Sequence, residues 1–133
     1  MKKIILLVSA LLLLSGCVAE VKKADTYRQI TMGEAVAIMQ EESGYIILDV
    51  RRPDEFAEKH IPGAVNIPNE TIGTDEIPAL PDKDQLILVY CRSGNRSKQA
   101  SEKLVALGYT NVVEFGGIID WTGETATGTG VVS

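Results

Sequence analysis

Seven consecutive residues, Cys91-Arg92-Ser93-Gly94-Asn95-Arg96-Ser97, place a thiol, two guanidinium groups, a glycine and two hydroxyls in one short stretch. An apolar run, Leu86 to Tyr90, precedes them, and a helical pattern with Ala100, Leu104 and Leu107 on one stripe follows. Such a stretch joins a buried strand to a helix start. The first backbone N–H groups of a helix have no intrahelical partners and form an anion site, and Gly94 and Asn95 tolerate the positive φ angles that curl amides inward. Arg92 and Arg96 add full positive charge. Every part favours an ionised sulfur, the form of cysteine that acts as a nucleophile, without a histidine base. The competing reading, a structural turn with solvated arginines, does not account for a cysteine, a cationic loop and a helix start meeting at one strand end. Two chemistries use a nucleophilic sulfur in an anion cradle: attack on phosphorus and attack on sulfur.

The elements that position this loop follow from pattern. Thr31-Met32-Gly33-Glu34 fits a capping box, and Met32, Ala35, Val36 and Met39 recur at helical spacing, predicting a helix over 32–42 before Gly44. Tyr45 to Val50 predicts a strand covered on both faces, Pro53 opens a short helix to about Lys59, and Ala64 to Ile67 predicts a second strand. Residues 69–84 read as loop. Leu86 to Tyr90 should be the central strand, Ser97 caps a helix over 98–107 ended by Gly108, and Val112 to Phe115 is the next strand, leading to a short helix near Trp121. Strands alternating with helices indicate a single α/β domain with a mainly parallel sheet and helices on both faces, in which ligands bind beyond the carboxyl ends of the strands. Cys91 occupies that place.

The chain has 133 residues, room for one domain, and carries a formal net charge of −5. Its first sixteen residues stand apart: Lys2 and Lys3 precede an apolar stretch from Ile4 to Leu14, the pattern of an export signal and too short for a spanning helix of roughly 20 residues. Without Lys2 and Lys3, eleven basic residues face 18 acidic ones, a net charge of −7, which argues against nucleic acid as a partner. Leu14-Ser15-Gly16-Cys17 resembles the bacterial lipobox. That resemblance implies a signal peptide over 1–16, a lipidated Cys17 as mature N-terminus, and attachment to a membrane outside the cytoplasm, in the cell envelope. Residues 17–28 then read as a tether, 29–122 as the domain, and 123–133, rich in Thr and Gly, as a flexible tail. A lipid-bearing Cys17 cannot pair with Cys91, leaving Cys91 a solitary thiol in an oxidising setting.

Five segments in order, Ile47–Arg51, Pro53–Phe56, His60–Pro68, Val89–Ser97 and Phe115–Trp121, resemble the rhodanese-like sulfurtransferases. Lys59 and Arg52 depart from the residues common in that family, and neither lies in the loop. The resemblance implies a five-stranded parallel sheet, Cys91 as nucleophile, and Arg92, Ser93, Gly94, Asn95 and Arg96 as the substrate-binding cradle. Asp49 and Arg51 would form buried ion-pair scaffolding, His60 would be structural, and Trp121 core. Phosphatases of this fold resemble a longer Cys-x5-Arg ring, whereas four residues separate Cys91 from Arg96 here, favouring sulfur over phosphorus. The implied reaction moves sulfane sulfur from thiosulfate or a related small anionic donor, through a Cys91 persulfide, to a thiophilic acceptor such as cyanide or a thiol. No metal or other cofactor is called for. Two alternatives keep the fold: a persulfide carrier that hands sulfur to an acceptor protein, and a non-catalytic binding module.

Overall fold

The computed structural model describes residues 26–129. The expected signal segment, Cys17 and most of the expected tether lie outside the described residues, as do positions 130–133. Five strands form one parallel sheet: β1 (Arg28–Gln29), β2 (Ile46–Asp49), β3 (Val65–Asn66), β4 (Ile87–Cys91) and β5 (Val112–Gly117), in the order β1-β5-β4-β2-β3. The α-helices are α1 (Met32–Glu41), α2 (Pro53–Glu58) and α3 (Asn95–Ala106), with 3₁₀ turns at Asn69–Thr71 and Ile118–Asp120.

Strand alternation sorts the core into two layers. Ile47, Leu88, Tyr90, Val113 and Phe115 project toward α1 and α2, where Ala35, Phe56 and Ile61 meet them. Leu48, Val50, Ile87, Val89, Cys91 and Val112 project to the opposite face, against Ala100 and Leu104 of α3. Helices therefore cover both faces of the sheet, and all five residues of β4 are buried because it lies in the middle. The capping box opens α1: Glu34 N donates to Thr31 Oγ1 at 3.1 Å, and Thr31 N donates back to Glu34 Oε1.

Three local expectations change. Helix α3 starts at Asn95, three residues earlier than Ser97 would set it, with Gly94 as N-cap at φ 113°. Only glycine adopts that angle without strain, so Gly94 turns the chain and the helix follows at once. Arg28, read as the end of the tether, pairs together with Gln29 against β5 as the edge strand. Residues 123–129, placed in the flexible tail, return to the domain: His60 and Ala126 exchange N–H···O bonds of 2.9 Å, and Gly128 N donates to Ala57 O at 2.8 Å. His60 itself is buried, stacked on Phe56 with ring centroids 3.8 Å apart, with Nδ1 2.8 Å from Phe56 O. Trp121 packs at the edge of the α1-side core, half-buried.

Candidate active site

Cys91 is the last residue of β4, at the carboxyl end of the central strand, and its register partner is Gly117 on β5. Beyond Val89 the two strands lose regular register, and the chain turns through Arg92 and Ser93 into Gly94. Gly117 makes the close approach possible. A Cβ there would lie 2.5 Å from Ser93 N and closer still to the Arg92 carbonyl, so any side chain would push the loop away from β5. Ile119 N fastens the same carbonyl at 3.2 Å. Gly117→Ala is expected to cost about 1–3 kcal/mol as an overpacked contact; a melting temperature equal to that of the unmodified protein would show that the loop does not rely on this contact.

The sulfur is enclosed, with Cys91 only 1% exposed, and it is a free thiol. Gly94 N donates to Sγ at 3.0 Å, and Sγ lies 3.4 Å from Ser97 Oγ. Among the loop residues, Gly94 supplies the amide bonded to sulfur, and the αL turn that starts α3 is what aims it there. Arg92 and Ser93 are exposed, while Asn95 and Arg96 belong to the first turn of α3. Arg92 lines a cavity of about 390 Å³ together with Arg51, Arg52, Glu55, Glu58, Lys59, Ile118 and Ile119. Cys91 is not part of that lining.

Arg96 does not face the sulfur as a free cation. Its Nη1 and Nη2 donate to Glu55 Oε1 and Oε2 at 2.6 and 3.0 Å, a bidentate pair tying α3 to α2. The hydrogen bond from Arg96 outweighs burial and holds the Glu55 carboxyl below its ordinary 4.5. A depressed carboxyl contributes stability that is present above its unfolded value and is lost as pH falls through the folded one. Glu55→Gln should therefore unfold more readily than the unmodified protein near neutrality, by about 1 kcal/mol, with the gap narrowing in acid as pH falls below the ordinary 4.5. Urea titrations at the two pH values check this, and a gap that persists unchanged in acid would exclude the ion pair as its source.

Behind the loop, Asp49 and Arg51 are buried together: Arg51 Nη2 and Nε donate to Asp49 Oδ2 at 2.7 and 3.1 Å, Nε also reaches Oδ1 at 3.0 Å, and Arg51 N donates to Oδ1 at 2.9 Å. Burial opposes the guanidinium's charge, and the hydrogen-bonded Asp49 carboxylate more than offsets it, raising the Arg51 pKa.

Two buried residues complete the site: Ser97, which the sequence places in the loop as a helix cap, and Glu114, which the motif reading did not assign. Ser97 Oγ donates to Glu114 Oε1 at 2.7 Å, and Gly116 N donates to the same oxygen at 2.8 Å. Glu114 is 2% exposed, on the α3-facing side of β5. Its signal in the sequence is a single charge inside a strand that is otherwise apolar. The geometry as a whole can hold a nucleophilic sulfur in contact with an aimed amide and a hydroxyl, the hydroxyl being itself bonded to a buried carboxylate.

A family model, Rhodanese-like domain, matches residues 31–124. The chain is 41% identical over 73 residues to the thiosulfate sulfurtransferase PspE of Escherichia coli (strain K12), covering 55% of this chain and 70% of PspE. To the thiosulfate sulfurtransferase GlpE of Pseudomonas entomophila (strain L48) it is 34% identical over 107 residues, 77% of this chain and 94% of GlpE. A solved structure described as rhodanese with anions from E. coli is similar with a TM-score of 0.58 and 37% identity, covering 63% of this chain and 99% of that one. With a parallel five-stranded sheet, a cysteine closing its central strand and a family match running from the first helix past the last 3₁₀ turn, the chain belongs to the rhodanese-like domain family.

Proposed function

We propose that the chain is a sulfurtransferase that carries sulfane sulfur on Cys91. The observation that carries this reading is the Gly94 amide aimed at Sγ from the N-cap of a twelve-residue helix. An amide and a helix N-terminus stabilise negative charge on sulfur where it is needed, before attack and after release. The ionised Sγ attacks the outer sulfur of thiosulfate, the S–S bond of the donor breaks, and sulfite leaves with the electron pair of that bond. The terminal persulfide sulfur keeps one negative charge. Cyanide or a thiolate then attacks that sulfur, and Cys91 recovers its electron pair.

Arg92, exposed at the cavity rim, attracts the anionic donor, while Arg96 acts through Glu55 to hold α3 in place. This reading places the export and lipid-anchor features of residues 1–17 with a location in the cell envelope, supported by the Lys2-Lys3, apolar and Cys17 pattern. Intact-mass analysis after thiosulfate treatment tests the chemistry: the expected result is a gain of one sulfur atom on Cys91, removed by cyanide. No gain of mass, or a gain located at Cys17, would overturn it.

A further inference from the structure

From the reading of Cys91 as nucleophile we infer that Glu114 is a positioning residue that holds the Cys91 proton, passed through Ser97, so that one negative charge moves between sulfur and carboxylate. Three side chains form an unbroken line from β4 through α3 to β5. Cys91 Sγ lies 3.4 Å from Ser97 Oγ, which lies 2.7 Å from Glu114 Oε1, and all three residues are buried. Each end of the line receives a backbone amide: Gly94 N on Sγ at 3.0 Å and Gly116 N on Oε1 at 2.8 Å. Either end is therefore equipped to hold the charge. Both ends cannot hold it together at low cost, because two like charges in one buried network disfavour each other.

Serine has one proton to give and lone pairs to receive with, which makes the line reversible. In one arrangement the Cys91 S–H donates to Ser97 Oγ and the Ser97 O–H donates to ionised Glu114. In the other, the S–H bond has broken, the Ser97 hydroxyl donates to ionised Sγ, and the proton given up by serine forms an O–H bond on Glu114 that donates back to Ser97 Oγ. One proton has moved from sulfur to carboxylate, and no heavy atom needs to shift. The Gly94 and Gly116 carbonyl oxygens, 2.9 and 3.4 Å from Ser97 Oγ, are the remaining acceptors around that hydroxyl. When Sγ becomes the inner sulfur of a persulfide, the proton stays on Glu114 and is available to Sγ on release.

The described surroundings leave the carboxylate without a cation. Among the described residues no Lys, Arg or His forms an ion pair with Glu114. From β1, Gln29 Nε2 donates to Oε2 at 3.4 Å. Tyr27, preceding β1, has its phenol pushed up by burial and then by Glu102 of α3 and by Glu114. On the sulfur side, Arg96 of α3 feels the Cys91 charge but is held by Glu55 of α2, and Arg92 is exposed. Tyr90, the neighbour of Cys91 on β4, packs on the opposite face of the sheet.

The thiolate absorbance of the full chain, taken as a difference from Cys91→Ser and followed against pH, tests the line without any sulfur donor. Coupled sites titrate as a pair, so the unmodified protein should show thiolate appearing in two steps separated by a plateau. Glu114→Gln keeps the size and the amide partner but cannot take a proton, and should collapse the curve to one step. Ser97→Ala, which removes the hydroxyl that donates to ionised Sγ in the second arrangement and leaves the carboxylate, should shrink the lower step. A single step in the unmodified protein with the same midpoint in Glu114→Gln would overturn the inference, as would a lower step whose height and midpoint are unchanged in Ser97→Ala. Because the readout needs no donor, its failure is distinct from a failure of Cys91 to take up sulfur from thiosulfate.

Discussion

Cys91→Ser should fold as the unmodified protein does and take up no sulfur from thiosulfate. The exchange replaces one atom in an enclosed site, where Cys91 is 1% exposed. A serine Oγ still accepts from Gly94 N and still reaches Ser97, so the stability change should stay within about 1.5 kcal/mol. The chemistry does not survive the exchange. An alcohol in this site is a far weaker nucleophile than a thiol, and an oxygen in place of Sγ leaves no sulfur to carry the persulfide. Removing a covalent nucleophile lowers turnover by factors on the order of 10⁴ or more, so thiocyanate formation from thiosulfate and cyanide should fall to the level without protein. Cys17→Ser is the matched control and should retain the rate. Residual turnover in Cys91→Ser above the protein-free rate, with an unchanged melting curve, would remove Cys91 from the mechanism.

How far the fold and the site are legible in the sequence depends on whether the deciding contact is local. The capping box at Thr31 and Glu34 and the apolar run of β4 carry their own signals, and helix and strand appear where those signals place them. The start of α3 does not. Serine is the better N-cap by propensity, but the Ser97 hydroxyl is engaged by Glu114, seventeen residues away, while Gly94 makes the turn. Arg96 reads locally as part of the cationic loop, and its partner Glu55 lies 41 residues earlier in the chain. The edge strand β1 has two exposed residues and no alternation, so only its pairing with β5 reveals it. Likewise Thr and Gly composition suggests a loose tail, whereas the backbone groups of Ala126 and Gly128 bond to His60 and Ala57. In each case side-chain pattern is silent about a partner distant in sequence.

Asp49→Asn should be the most destabilising single change near the site, because it leaves the Arg51 guanidinium buried without a counter-charge. Asp49 is fully buried and Arg51 is 4% exposed, so water cannot take over the lost partner. An asparagine fills the same space and can accept through one oxygen, which isolates the effect of charge from that of volume. Removing one member of a buried ion pair costs about 3–5 kcal/mol, and for a domain of this size that corresponds to roughly 15 °C or more in melting temperature. The damage should extend to the loop. Asp49 ends β2, where its carbonyl receives Ile67 N at 3.0 Å, and the next residue, Val50, donates its N–H to Tyr90 O at 3.1 Å, immediately before Cys91. A strand end that frays there loosens the carboxyl end of β4 and the turn that aims the Gly94 amide. Replacing the pair together, Asp49→Leu with Arg51→Met, removes both charges and should recover much of the lost stability. If the single variant melts within a few degrees of the unmodified protein, or if the double variant loses, relative to the unmodified protein, the full sum of the losses of its two single substitutions, the unpaired guanidinium is not the cause.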